Sequence, residues 1–514
     1  TADAAPQAAV PQVAAASVPV TSPPVRHSKS GATKKLVLDF GGGVITGKAW
    51  NTGEGASSSY NALPYDIDGD TTTFNDTEQA NIIEIWGRVA EDYAPFDVDV
   101  TTEIPATWGR YTGRALITRG VDANGVTLPS GDSAGGISYT DYFGNNTWVA
   151  GTFFNPIYAY EYCSPSLIYH NRLATVANIA EAASHELGHA LNLNHDGTAG
   201  SEYYTGHGSG AISWGAIMGT PYGKNVTQWS KGGYYNANNN EDDMAILASK
   251  LAYRNETIGS APANATVLAP DSGAHEGTVS YNATLLRETS VHCYRIDLAA
   301  ETQLAAELTP FRSTGSTRGG NADLDVTLTD AAGSVILSAA QTSPANDTGA
   351  AFSITLQAGS YYMSVCPAGT GNPQVNPPTG YTSYGSVGQY FINLSLHQVS
   401  LNPALLSLDE FLAYAFIPGA PGEVPPTGGS TAHLPATAFD GTTLSIAFKP
   451  ARANLLYEVQ RSLDLFSWET IATAAPPEDP DNVSVATFTS NLNAGEAPRQ
   501  FLRVKVSLPS APTP

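Results

Sequence analysis

The stretch His185-Glu186-Leu187-Gly188-His189-Ala190-Leu191-Asn192-Leu193-Asn194-His195-Asp196 decides how the rest of the chain is read. Residues four apart on an α-helix share a face one turn apart, so the imidazoles of His185 and His189 can grip one metal ion. His195 would supply a third nitrogen, and three protein ligands leave the fourth position of a catalytic zinc ion to water. A straight helix would carry His195 round to the wrong side. Asn192 is placed to end the helix first, because Asn is the non-glycine residue that most readily takes the left-handed conformation found there. Glu186 lies too close to the first histidine to be a ligand in this geometry and reads as a general base. A water held on zinc has its pKa lowered to about 7, and a neighbouring carboxylate can take its proton as it attacks a polarised carbonyl, then pass that proton to the leaving amine.

The spacing HExxHxxxxxH, followed by Asp196, resembles the zinc signature of the metzincin metallopeptidases, and the Asp in that place resembles their reprolysin (adamalysin-like) branch. Where that family usually carries Gly, this chain carries Asn192. The resemblance implies a catalytic domain of α/β (α+β) type, with a mixed twisted sheet and a zinc-binding helix. It also implies a Met in a tight turn beneath the histidines, for which Gly215-Ala216-Ile217-Met218-Gly219 stands ready. A thioether packs under imidazole rings as a soft filler without competing for the metal. Tyr222 is a candidate to hydrogen-bond the tetrahedral species, as a tyrosine after the Met does in some metzincins, although its spacing is not theirs and a wall aromatic is the competing reading.

The 514 residues suggest about three domains. A hydrophobic share of 42% with 14% charged residues describes a folded chain. The net charge of −23 argues against nucleic-acid or anionic-membrane partners, and no apolar run is long enough to span a bilayer. Residues 1–30, rich in Ala, Pro, Val and Ser, read as a disordered or pro-segment remnant, with a maturation cut expected near His27–Ala32.

Residues 31–258 form the expected catalytic region. Lys35–Phe40 reads as a buried strand, Asp76–Phe96 as an amphipathic helix capped by Asp76 with Gln79 three residues on, and Leu173–Asn192 as the metal-binding helix. Further strands are expected at Asp97–Thr102, Ala115–Thr118, Gly136–Tyr139 and Trp148–Phe153, the last where metzincins place the edge that pairs with an extended protein or peptide substrate. The triple glycine Gly41–Gly43 lacks the spacing of a phosphate-binding loop. Asp66, Asp68 and Asp70 alternate along a loop and could hold a hard cation such as Ca2+, with a solvated turn as the alternative. Acidic residues at Asn238–Asp243 suit the start of a closing helix.

From 259 to 400 short alternating strands between Gly, Asn and Pro read as a β-sandwich. The segments Asn321–Leu328, Ala358–Val365 and Tyr384–Tyr390 resemble the pre-peptidase C-terminal (PPC) domain of secreted bacterial peptidases. This implies a non-catalytic accessory module. Residues 401–431 read as a linker with a short helix at Leu408–Phe416, and 432–514 as a small, fibronectin-like β-domain. Of the three cysteines, Cys293 and Cys366 lie on the outward faces of two sandwich strands and could pair if those strands are neighbours; two unpaired thiols fit equally. The expectation is a secreted, monomeric bacterial zinc endopeptidase, with β-modules for substrate or surface attachment. The alternative is a secreted or surface binding protein, such as an adhesin, with a structural or decayed zinc site.

Overall fold

The computed structural model describes residues 17–152, 155–270, 277–313, 319–340 and 348–398, and beyond these 435–439, 443–450, 452, 455–462, 467–474, 485–491 and 501–507. Strands dominate, arranged in many small sheets. The expected linker helix at Leu408–Phe416 lies outside the described residues. Two compact units are distinguished. Among described residues the first holds everything to Asp297 together with Leu304–Ile354 and Gly359–Leu396, and the boundary expected near residue 258 falls inside it.

A five-stranded sheet organises the first part of this unit. Its strands are β1 (Lys35–Asp39), β2 (Asp99–Thr101), β3 (Thr112–Thr118), β4 (Gly136–Ile137) and β5 (Ser166–Tyr169), in the order β2-β1-β3-β5-β4. The first four positions run parallel, and β4 closes the edge antiparallel to β5, with Leu167 opposite Ile137. Leu36, Leu38, Val100, Ala115, Ile117 and Ile168 are fully buried, the near-continuous apolar pattern of strands covered on both faces. The strand expected at Trp148–Phe153 instead forms a separate hairpin, Trp148–Thr152 with Asn155–Tyr158.

Helix α1 (Asp76–Asp92) packs on this sheet through Ile82, Ile85, Trp86 and Val89. Its cap is Asn75, one residue before the expected Asp76: the Asn75 side chain accepts from Glu78 N at 2.9 Å and Glu78 Oε2 accepts from Asn75 N at 2.8 Å. That reciprocal pair satisfies two amides which the Asp76–Gln79 register would leave open. Helix α2 (Val176–Ala190) carries the decisive motif and is shorter at its start than expected, because Thr175 accepts from Asn178 N and fixes the first turn there. Its end is as anticipated. Asn192 has φ 84°, with Asn192 N donating to His189 O and Leu193 N to Gly188 O, the paired bonds of a Schellman turn. Helix α3 (Asp243–Leu251), capped by Asp242, closes the region.

Residues 17–30, expected as a disordered or pro-segment remnant, are instead packed against the α/β region. Val18–Pro19 pair with Thr73–Phe74. Further on, Ser28 N donates to Val100 O and Thr102 N to Arg26 O, so the segment covers the outer edge of β2. An uncovered edge strand would otherwise present open backbone groups.

The rest of this unit contains two sheets. One takes the order Thr266–Val267, His292–Leu298, Gly359–Pro367, Leu324–Asp330, Val335–Ala340; the other takes Gly277–Leu285, Gly388–Gln398, Thr302–Pro310, Ala350–Leu356. They meet through Tyr294, whose ring lies 5.6 Å from that of Tyr281 and whose hydroxyl is 2.6 Å from that of Tyr390. His292–Leu298 and Gly359–Pro367 are neighbours, yet Cys293 and Cys366 are free thiols. Cys293 bonds the side chain of Ser364, and Asp297 that of Ser360, one antiparallel register that sets Cys366 two residues off from Cys293. Diagonal neighbours of this kind stand too far apart for a disulfide. In the second unit, the described strands between 436 and 507 make two three-stranded sheets around Ile446, Phe448, Tyr457 and Val459.

The sandwich docks behind α1 and α2 through buried polar groups. Asn321 Nδ2 donates to Asp92 Oδ1 at 2.8 Å, and the same carboxylate accepts from Ser184 Oγ of α2. Gln389 holds both oxygens of Glu91, at 2.9 Å from its backbone N and 2.8 Å from its side-chain amide. Burial dominates here and pushes the Glu91 carboxyl up to about 8, from an ordinary 4.5. Between those values the folded chain keeps a proton that the unfolded chain has released, so stability falls as pH rises through that window. The melting midpoint of the full chain should therefore decline from pH 4.5 to pH 8, and Glu91→Gln should flatten the slope; equal slopes in both proteins would show that Glu91 does not hold its proton.

Candidate metal centre

The Schellman turn at Asn192 reverses the chain, so that His195 returns to the face of α2 bearing His185 and His189. The ring centroids lie 4.8 Å (His185–His189), 5.3 Å (His185–His195) and 4.7 Å (His189–His195) apart. Each Nδ1 is held by an acceptor: Ile217 O at 2.9 Å for His185, Leu193 O at 2.8 Å for His189, and Glu202 Oε1 at 2.9 Å for His195. A carbonyl or an ionised carboxylate only accepts, so in each neutral ring Nδ1 carries the proton and Nε2 is bare. Burial holds the first two rings neutral, lowering His185 to about 3 and His189 to about 4. The three rings thus bring their Nε2 atoms toward one point, with His189 Nε2 and His195 Nε2 only 2.9 Å apart. Three imidazoles so placed could hold a metal ion.

Glu186 is buried beside this point and makes no claim on it. Its Oε2 has no hydrogen-bond partner among the described residues, and desolvation pushes its carboxyl up to about 8. A positive ion alongside would lower that value again. The carboxylate fits against β4 only because position 136 is glycine: a Cβ there would stand 2.7 Å from Glu186 Oε1.

Met218 lies fully buried under the helix, and Gly188 is what admits it, since a Cβ at 188 would meet Met218 Sδ at 2.6 Å. The same turn supplies Ile217 O to His185, so floor and ligand are fixed together. Asp196 ties His195 to this floor: its N donates to Met218 O at 2.8 Å, its carboxylate accepts from Tyr234 at 3.3 Å, and burial pushes it up to about 7.

These residues open onto a cleft of about 490 Å³, lined by Ser133–Ser138 together with Tyr203, Thr220 and Tyr222. Tyr222 reaches this wall, where burial and the nearby Glu186 raise its hydroxyl far above the ordinary tyrosine range. Tyr203 and Glu202 carry no sequence expectation. Both sit in a loop without periodicity, and only a carboxylate seven residues after the third histidine could have signalled them.

The acidic loop differs from expectation. The carboxylates that approach one another are Asp66, Asp68 and Glu78, whereas Asp70 turns to Thr72 and Thr73. Asp66 accepts from Asp68 N and Gly69 N, and Glu78 from Ile67 N and Asn75 N, so backbone amides supply the positive partners a cation would. The loop reads as the hydrogen-bonded entry to α1.

No family model and no curated protein matches this chain. Among solved structures, the pre-peptidase C-terminal domain of a Bacillus anthracis collagenase is a distant likeness: 14% identity over 23% of this chain and 86% of that one, TM-score 0.15. A periplasmic inhibitor of g-type lysozyme from Aeromonas hydrophila shares 12% over 26% and 95%, TM-score 0.16. Tandem CBM51 modules of a Streptococcus pneumoniae family 98 glycoside hydrolase share 12% over 45% and 79%, TM-score 0.18. Such scores leave the reading to the residues themselves. Truncating the floor by Met218→Ala should cost about 2–5 kcal/mol in chemical unfolding, the range for a fully buried Met; a loss well under 1 kcal/mol would show that the floor is not packed as described.

Proposed function

We propose that the protein is a zinc-dependent endopeptidase acting on protein substrates, of secreted type, with β-modules that do no chemistry. One observation carries this reading: three imidazoles converge at the floor of a cleft, beside a carboxylate outside their group whose Oε2 has no partner among the described residues. His185, His189 and His195 would hold the ion. Bound there, zinc supplies Lewis acidity toward a carbonyl and lowers the pKa of water to about 7. Glu186 takes the proton of the attacking water and delivers it to the leaving amine nitrogen, the two tasks of a base that becomes an acid. The outer edge of β4 offers its backbone groups to an extended peptide, which would lie antiparallel to it across the cleft. Tyr222 lines the wall against which that peptide rests.

A purely structural ion would favour a fourth Cys or His, and among the described residues this group offers three histidines. That supports the enzyme over an adhesin. The secreted, monomeric assignment rests on the resemblance of the motif and of the sandwich segments to bacterial secreted peptidases, and the net charge of −23 favours neither nucleic acid nor anionic membranes as partners.

Glu186→Gln should bind zinc as the parent does while cleavage of casein falls about 10²–10⁴-fold, the span attributed to a positioned acid–base group. Unchanged proteolysis by this variant would remove Glu186 from the mechanism. A chelator should abolish cleavage by the parent and zinc should restore it; proteolysis indifferent to chelation would end the metallopeptidase reading.

A further inference from the structure

The three histidines are not held alike. His185 and His189 lean on backbone carbonyls, Ile217 O and Leu193 O, which the fold fixes and which carry no net charge. His195 leans on Glu202, an exposed side chain from the loop that follows it. That loop is tightly closed. Thr198 and Ser201 exchange backbone hydrogen bonds at 2.8 and 3.1 Å, Tyr204 N returns to Asp196 O at 2.7 Å, and Thr220 N holds Tyr204 O at 2.9 Å. Tyr204 is further stacked on Tyr234 with centroids 4.2 Å apart. The closure presents two successive side chains to one imidazole: Glu202 Oε1 lies 2.9 Å from Nδ1, and the Tyr203 ring stands 4.4 Å from the His195 ring.

We propose that Glu202 and Tyr203 form a clamp that sets the orientation and basicity of His195, and through it the strength with which the centre retains zinc. The proposal rests on the zinc reading above. Glu202 is a positioning residue, since its carboxylate faces the ring nitrogen turned away from the ion. An anionic acceptor on Nδ1 fixes the tautomer and raises the donor power of Nε2 more than a carbonyl does, and partners of this kind are worth about 10–100-fold in metal affinity. Tyr203 restricts the ring's other freedom, rotation, by packing against it at a 41° tilt.

The test measures zinc affinity of the full chain by competition with a chromogenic chelator. Glu202→Ala should weaken binding about 10–100-fold, Glu202→Gln less, because its amide oxygen still accepts the Nδ1 proton without the charge. Tyr203→Ala should weaken it and Tyr203→Phe should not. In a His195→Ala background, Glu202→Ala should add nothing, and the melting midpoint of the zinc-free protein should not move in any Glu202 variant. Parent-like affinity in Glu202→Ala, the same loss with or without His195, or a zinc-free midpoint falling in step with affinity would each overturn the clamp. A parent chain that binds zinc and cuts casein, with affinity indifferent to Glu202, overturns the clamp alone. A parent chain that takes up no zinc overturns the peptidase reading with it.

Discussion

Three imidazoles held with their Nε2 atoms near one point are the constraint from which the rest follows. Left alone, each of the rings of His185, His189 and His195 could turn away from that point. The structure forbids this by occupying every Nδ1. Two of those acceptors are backbone oxygens, and each belongs to a feature with a second task. Leu193 O comes from the turn that Asn192 makes at the end of α2, and Ile217 O from the turn that brings Met218 beneath Gly188. Helix end, floor and ligand orientation are therefore one arrangement.

The sandwich belongs to the same arrangement from behind. Ser184, immediately before the first ligand, bonds Asp92, which Asn321 also holds. Gln228, on the strand whose backbone supports the Met218 turn, donates to Asn321 O and Ser386 Oγ. Tyr384 gives its hydroxyl to Asp242 and accepts from Met244 N, bracing α3. The segment Tyr384–Tyr390, read in the sequence as a mark of an accessory module, is in part the surface by which that module is built into its neighbour.

Much of this was legible because local chemistry carried it. The i, i+4 histidines, the Asn that ends a helix and the Met between glycines each have a reason inside a few residues, and the structure brings them together. What escaped depended on partners remote in sequence or on the absence of a pattern. Strand β5 is four residues whose partner β3 lies some fifty positions earlier. Glu78 reaches the acidic loop from a helix, and Glu202 reaches His195 from an aperiodic loop. The packed N-terminal residues were misread because Ala, Pro and Val without alternation look like tether, whereas an irregular segment can cover a sheet edge with few backbone bonds. The Asn75 cap was missed by one position, since both Asn-x-x-Glu and Asp-x-x-Gln fit the local rule and only tertiary packing chooses.

The bond between Glu91 and Gln389 spans 298 positions of the chain. A ribosome must therefore make more than half of this sequence after the first of these residues before the second can meet it, and until then the Glu91 carboxyl, meant for a dry interior, faces water. Nascent chains would spend that interval with the back of α1 and α2 unsupported, so the three-histidine cleft is completed late in synthesis. The separation of the two residues along the chain then acts as a delay.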